Sequence, residues 1–201
     1  MALVNPRTRE VQLKIVYYGP GRCGKTHNLT YIHRHLQGRA ESRLVSLETK
    51  DDRTLFFDYF PLDVGTVREY AIRLNLYTIP GQVKYNATRK LVLQGADGLV
   101  FVADSLAVAR KKNISSLRNL NENLRGYNRN LTHIPLVFQY NKRDLADEGI
   151  PVLPIEVLEK DLNARLRAPC FGASALTGEN VGNTLKKIVT LTVATLRKRL
   201  K

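Results

Sequence analysis

GPGRCGKT, residues 19–26, is the stretch on which the fold turns. It satisfies G-x-x-x-x-G-K-[ST] at every fixed position. Before it runs the apolar segment Leu13–Tyr18, which reads as a strand, and after it His27–Leu36 reads as a helix. In that setting the backbone N–H groups of the turn and of the helix N-terminus can surround phosphate oxygens. Lys25 can bridge the β- and γ-phosphates, and Thr26 can offer its hydroxyl to Mg²⁺. Gly21 sits where a Cβ would crowd the last phosphate. The candidate phosphate-binding set is Gly19, Gly21, Arg22, Cys23, Gly24, Lys25, Thr26 and His27.

Outward from this loop, short apolar runs alternate with helical patterns, as in βαβ units around a mainly parallel sheet. Leu99–Asp104 and Leu136–Tyr140 are near-continuous apolar runs, which marks strands buried on both faces. Val67–Tyr77 alternates instead, with Tyr70, Ile72, Leu74 and Leu76 on one face. Thr54–Phe60 before it is aromatic-rich, and Pro61–Gly65 reads as the turn of an antiparallel edge hairpin. Ile114, Leu117, Leu120 and Leu124 share a helix face, as do Leu185, Ile188, Val189, Val193, Leu196 and Leu200. The expectation is one α/β domain over residues 1–201: a mainly parallel central sheet with one antiparallel edge hairpin and helices on both faces. Residues 1–9 form a flexible N-terminus, and 182–201 a basic C-terminal helix.

Asn141–Asp144, NKRD, follows the buried strand directly. The Asp144 carboxylate can accept two parallel hydrogen bonds from guanine, whose N1–H and N2 amine both donate. Asn141 can tie this loop to the glycine-rich one, and the Lys142 stem can cover the base. Ser174 and Ala175, after the candidate strand Cys170–Phe171, can bring a backbone N–H to guanine O6. TIPGQ, Thr78–Gln82, ends the alternating strand. There Gly81 can meet the γ-phosphate through its N–H, and Gln82 can orient an attacking water. Thr54 can meet Mg²⁺ or the γ-phosphate. Arg53 is either a solvated loop charge or an arginine acting in cis on the transferring phosphate. The residue types alone leave both readings open. The catalytic set is thus Gln82, Arg53 and Lys25, with Thr26 and Thr54 for the metal.

Lys and Arg number 32 against 18 Asp and Glu, a net charge of +14. This favours acidic partners: nucleic acid, an anionic surface met by the basic C-terminal helix, or an acidic protein face. It is also compatible with a merely solvated basic surface. Two cysteines, Cys23 and Cys170, make no disulfide framework. With no signal-peptide core, membrane-spanning run or prenylation box, a cytoplasmic protein is expected. A polar or membrane-peripheral location is compatible with the basic helix.

With these residues quoted, the chain resembles the small Ras-like bacterial GTPases of gliding motility and cell polarity, the MglA type. The resemblance runs over about residues 9–198. It rests on KIVYYGPG-x-CGKT, DRTLFFD, YTIPGQVKYNATRKLVLQGADGLVFVADS and QYNKRDL. It implies a Ras-like fold and a switch that binds GTP or GDP with Mg²⁺ and hydrolyses GTP slowly. It further implies a Roadblock-type (MglB-like) homodimeric activator, and polarity or motility effectors recruited at one cell pole. In such proteins Arg53 would be the intrinsic arginine and Gln82 the water-orienting residue. The strand before the Pro-Gly turn would shift register with GTP. Thr78 stands where most Ras-like proteins have Asp, a change this type shares. Arg22, His27 and the +14 charge are less typical. Two other readings remain: a nucleic-acid- or ribosome-associated GTPase, and a GTP-dependent scaffold with little turnover.

Overall fold

The computed structural model describes residues 3–36, 45–46, 58–67, 69–82 and 85–199. The strand before the glycine-rich loop, β2 (Glu10–Tyr18), is its centre. Val11, Leu13, Ile15 and Tyr17 pack into one apolar layer, and Val16 and Tyr18 into the other. All six are buried. A strand covered on both faces has no polar side to show, hence the near-continuous apolar run.

The remaining elements are β1 (Leu3–Asn5), α1 (Lys25–His35), β3 (Val45–Ser46), β4 (Asp58–Val67), β5 (Tyr70–Thr78), α2 (Asn86–Leu93), β6 (Gly98–Asp104), α3 (Arg110–Arg125), β7 (Leu136–Asn141), α4 (Ile155–Leu158), β8 (Cys170–Gly172) and α5 (Val181–Arg199). The sheet order is β3-β4-β5-β2-β6-β7-β8. From β5 to β8 every neighbouring pair is parallel, while β4 returns antiparallel along β5. α1 and α5 cover one face. α2, α3 and α4 cover the other, with α4 continuing as a π-helical turn over Glu159–Asn163. Among the described residues no helix is long and apolar enough to cross a membrane.

Three details depart from what the sequence suggests. Pro61–Gly65 is not the hairpin turn but lies within β4, and the chain reverses between the paired Val67 and Tyr70. Two features explain this. β3 pairs only Asp58 and Tyr59, so among the described residues the outer edge of β4 at Pro61 has no neighbour to miss its N–H. Gly65, with φ of 92°, sits at the irregularity between Asp63 and Thr66, where an extra residue needs left-handed backbone. Second, the N-terminal arm carries β1, paired antiparallel with Glu10–Gln12. Third, α2, which the apolar pattern did not announce, packs on α3 across a seam that joins Val92 and Leu93 to Leu120 and Leu124 and also carries amide hydrogen bonds from Asn119 and Asn123 to Asn86.

The seat of α5 on the sheet depends on Gly98, the first residue of β6. A Cβ there would lie 2.4 Å from Thr192 Oγ1 and 3.2 Å from Ile188 Cδ1. Gly98→Val should therefore push α5 off β6 and lose about 1–3 kcal/mol, read as a lower urea midpoint at unchanged slope. An unchanged midpoint would mean that α5 yields freely at this contact.

Candidate nucleotide site

The parallel strands β2, β5, β6, β7 and β8 all end on one edge of the sheet, so the segments at Gly19, Ile79, Ser105, Lys142 and Ala173 emerge side by side. Crevices outside the carboxyl ends of such strands are where α/β folds receive ligands. Every sequence-predicted site residue within the described set lies in or beside these segments. Arg53 and Thr54 lie outside the described residues.

The glycine-rich loop is shaped by close backbone approach. At Gly19 a Cβ would come 2.2 Å from the Val102 carbonyl, and at Gly24, with φ of 99°, 2.2 Å from Asn141 Nδ2. Gly24 caps α1 without any side-chain hydrogen bond, and the first turn carries no acid. The N–H groups at the start of that helix, with the positive end of the helix dipole, suit an anion. Arg22 holds a left-handed φ of 63° and is exposed, as are Thr26 and His27 at the start of α1. Lys25 is buried, its ammonium donating to the carbonyls of Pro20 at 2.7 Å and Gly19 at 3.1 Å. Burial pushes the neighbouring Cys23 thiol up, so it stays neutral beside that cation.

The base side is tied to this loop by Asn141. Its Nδ2 donates to the Cys23 carbonyl at 2.7 Å and its Oδ1 accepts from the Ala175 N–H at 2.8 Å. Lys142, with φ of 71°, sends its ammonium to Asp104 Oδ2 at 2.7 Å, which fixes the stem beside the loop. Asp104 is itself buried and accepts from the Leu106 N–H at 3.0 Å. Asp144 Oδ1 is buried and has no hydrogen-bond partner among the described residues. A carboxylate oxygen buried without a donor is costly, so it fits a ligand that brings donors.

The segment at 173–175 differs from the sequence reading. Its N–H groups already have partners: Ala173 with the Tyr140 carbonyl, Ser174 with Glu179, and Ala175 with Asn141. Reading a base oxygen there requires the Ala175 N–H to be shared with Asn141 or released from it.

The turn after β5 lies on the glycine-rich loop. A Cβ on Gly81 would fall 2.2 Å from Gly21 Cα, so two glycine backbones are in direct contact. Gln82 is exposed next to it, and Thr78 is buried at the strand end. Sequence reasoning passed over Arg89 of α2, which is fully buried. Its guanidinium donates to the Pro80 carbonyl at 3.1 Å and Asn119 Oδ1 at 2.6 Å, and lies 4.9 Å from the centre of the Tyr18 ring. The available signal was Ser116, Asn119 and Asn123 at helical spacing on α3, a polar stripe beside Leu117, Leu120 and Leu124.

No group of three or more His, Cys, Asp or Glu suited to a metal occurs among the described residues. The hydroxyl of Thr26 is a hard oxygen donor beside the anion-binding turn. It fits a cation such as Mg²⁺, which keeps waters and phosphate oxygens as its other ligands.

Comparison with known proteins agrees with this geometry. The Ras family model matches residues 14–194. The chain is 47% identical over 198 residues to the mutual gliding-motility protein MglA of Myxococcus xanthus (strain DK1622), covering 98% of this chain and 99% of that protein. It is 22% identical over 191 residues to the Ras-related protein Rab-27B of Rattus norvegicus, covering 92% of this chain and 82% of that one.

Asn141→Ala should strand the buried Cys23 carbonyl and the Ala175 N–H together. Each buried group left without a partner costs about 1–3 kcal/mol, so thermal unfolding should come several degrees earlier. Asn141→Asp keeps the acceptor for Ala175 but cannot donate to Cys23, and should also destabilise. Melting of Asn141→Ala alongside the unmodified protein would show that the loops are joined by something else.

Proposed function

The chain belongs to the Ras family, in its MglA type, and from that premise we propose that it binds GTP and GDP with Mg²⁺ and hydrolyses GTP slowly as a switch in gliding motility or cell polarity. The observation that carries the base assignment is the orphaned, buried Asp144 Oδ1 on a loop that Asn141 ties to the glycine-rich turn. Guanine presents N1–H and an N2 amine, two donors for an acceptor-only carboxylate. Adenine presents an acceptor at N1 and no amine at C2, so its binding leaves Asp144 unpaired.

On the phosphate side, Lys25 exchanges the Gly19 and Pro20 carbonyls for β- and γ-phosphate oxygens. Thr26, joined by Thr54, would hold Mg²⁺, which neutralises charge between the β- and γ-phosphates when bound. A third phosphate has to part Gly81 from Gly21, whereas a diphosphate can leave that contact closed. GTP and GDP therefore favour different positions of the turn, and this differential is what a switch requires. Moving the turn brings Gln82 to the attacking water, and Arg53 stabilises charge on the transferring phosphate. A Roadblock-type (MglB-like) homodimer accelerates turnover by holding the turn and Arg53 in their GTP positions. The GTP state engages polarity or motility effectors at one cell pole.

Two measurements test this. Nucleotide titration should give a preference for guanine over adenine of up to ~10⁴. Asp144→Asn should move that preference toward xanthine nucleotides, whose C2 oxygen accepts. Equal affinity of the unmodified protein for ATP and GTP would sink the base assignment.

Single-turnover hydrolysis at saturating activator tests the rest. Gln82→Leu should retain bound GTP without turning it over. Arg53→Ala should lose about 10³–10⁵ of the stimulated rate while keeping its affinity for GTP. Full stimulation of Arg53→Ala would mean that the activator supplies the arginine.

A further inference from the structure

Arg89 is the largest side chain fully removed from solvent, yet among the described residues it bonds only to neutral acceptors. Besides Pro80 and Asn119, its Nη2 reaches the carbonyls of Gly19 and Gly81, each at 3.4 Å, and Ser116 Oγ at 3.5 Å. A buried guanidinium without a carboxylate is expensive, and a well-packed apolar residue would commonly stabilise such a seam as well or better. Three of its acceptors are backbone carbonyls, from the glycine-rich loop and from the turn that faces it. Tyr18, Asn119, Asn123 and Asn86 complete the cluster. The Tyr18 hydroxyl donates to Asn119 Oδ1 at 2.6 Å, and the Asn119 and Asn123 amides both donate to Asn86 Oδ1. The arginine is thus held by α3 and β2, while its free face grips two loops.

The peptide between Pro80 and Gly81 is planar and trans, so its C=O and N–H point in opposite directions. A guanidinium holding the Pro80 carbonyl turns the Gly81 N–H away from the α2–α3 seam. The Gly81 carbonyl, held in the same way, turns away the N–H of Gln82. We propose that Arg89 is a positioning residue for the third phosphate: it orients the Gly81 N–H for the γ-phosphate and sets the backbone from which Gln82 projects. It acts through two peptide planes and does not touch the nucleotide.

This inference rests on the nucleotide reading above. It makes a prediction that a merely structural arginine would not, because the turn it holds meets the γ-phosphate alone. Arg89→Lys keeps the charge and most of the stem but loses the fork that reaches several carbonyls at once. Titration with GDP and with a non-hydrolysable GTP analogue should find GDP affinity within about threefold of the unmodified protein. The analogue should weaken about ten- to a hundredfold, as when one charged hydrogen bond is lost. Single-turnover hydrolysis should fall by at least as much. Asn119→Ala leaves the arginine in place but removes its tightest acceptor. It should shift the same ratio in the same direction by a smaller factor, and it carries the test if Arg89→Lys does not fold. Equal weakening of GDP and the analogue, or no change in either, would overturn the positioning role and leave the GTPase reading standing. Failure of the unmodified protein to bind guanine nucleotides would overturn both.

Discussion

The side-chain amide of Asn141 joins the two halves of the site, and the geometry of both depends on it. Parallel strands deliver their loops to one sheet edge, but they leave the loops' backbone groups without ladder partners. The gap between Cys23 and Ala175 needs one donor and one acceptor from a single short side chain, and of the standard residues asparagine fits best. Its amide passes so close to the glycine-rich loop that Gly24 cannot carry a Cβ. Asn141 and Gly24 are therefore one structural decision made at two places in the chain. A second strut supports it from the same strand: Gln139 Nε2 donates to Asn28 Oδ1 at 2.8 Å, and the Asn28 amide donates to the Gly24 carbonyl at 3.0 Å. β7 thus fixes both the loop and the first turn of α1.

What could be read from the sequence followed from burial and from glycine. β2, β6 and β7 are covered on both faces, so their apolar runs stood out within a residue or a few of their ends. The glycine-rich loop and NKRD stood out because their proposed chemistry fixes residue type at their set positions. Pro61–Gly65 was misread because turn residues on an edge strand look the same as a turn, and only the pairing partner distinguishes them. α2 was missed because NATRKLVL places a polar residue, Arg89, inward. Its inward face mixes the buried Arg89 with Val92 and Leu93, so the apolar stripe covers only the last turn of a short helix. The engagement of the 173–175 N–H groups depends on how β8 registers against β7, a long-range property that no local pattern encodes.

The site also divides by stiffness. On the base side the contacts are short and made by side chains, the buried Asn141 to Cys23 and Ala175, and the half-buried Lys142 to the buried Asp104. On the side of the third phosphate the contact between Gly21 and Gly81 is backbone against backbone, without side chains to interlock. Separating the two backbones gives up dispersion, since no side chains interlock there. A ligand can then change the second half while leaving the first intact, as discrimination between nucleotide states with one base pocket demands.

Charge completes the argument. The Gly19 carbonyl accepts from Lys25 at 3.1 Å and from Arg89 at 3.4 Å, so two cations converge on one neutral oxygen. Desolvation disfavours the charged form of Arg89, yet a guanidinium keeps its proton in proteins, so the cost is borne by the fold. The buried carboxylate of Asp104 already serves Lys142 and the Leu106 N–H. Thr78, at the strand end leading into the turn, is neutral. An anion arriving between the two loops therefore meets Lys25, whose carbonyl partners are weak substitutes for phosphate. The net charge of +14 raises the local concentration of any such anion without choosing among them. In the proposed site, selection falls to Asp144, whose buried oxygen has no hydrogen-bond partner among the described residues, so attraction and discrimination reside at opposite ends.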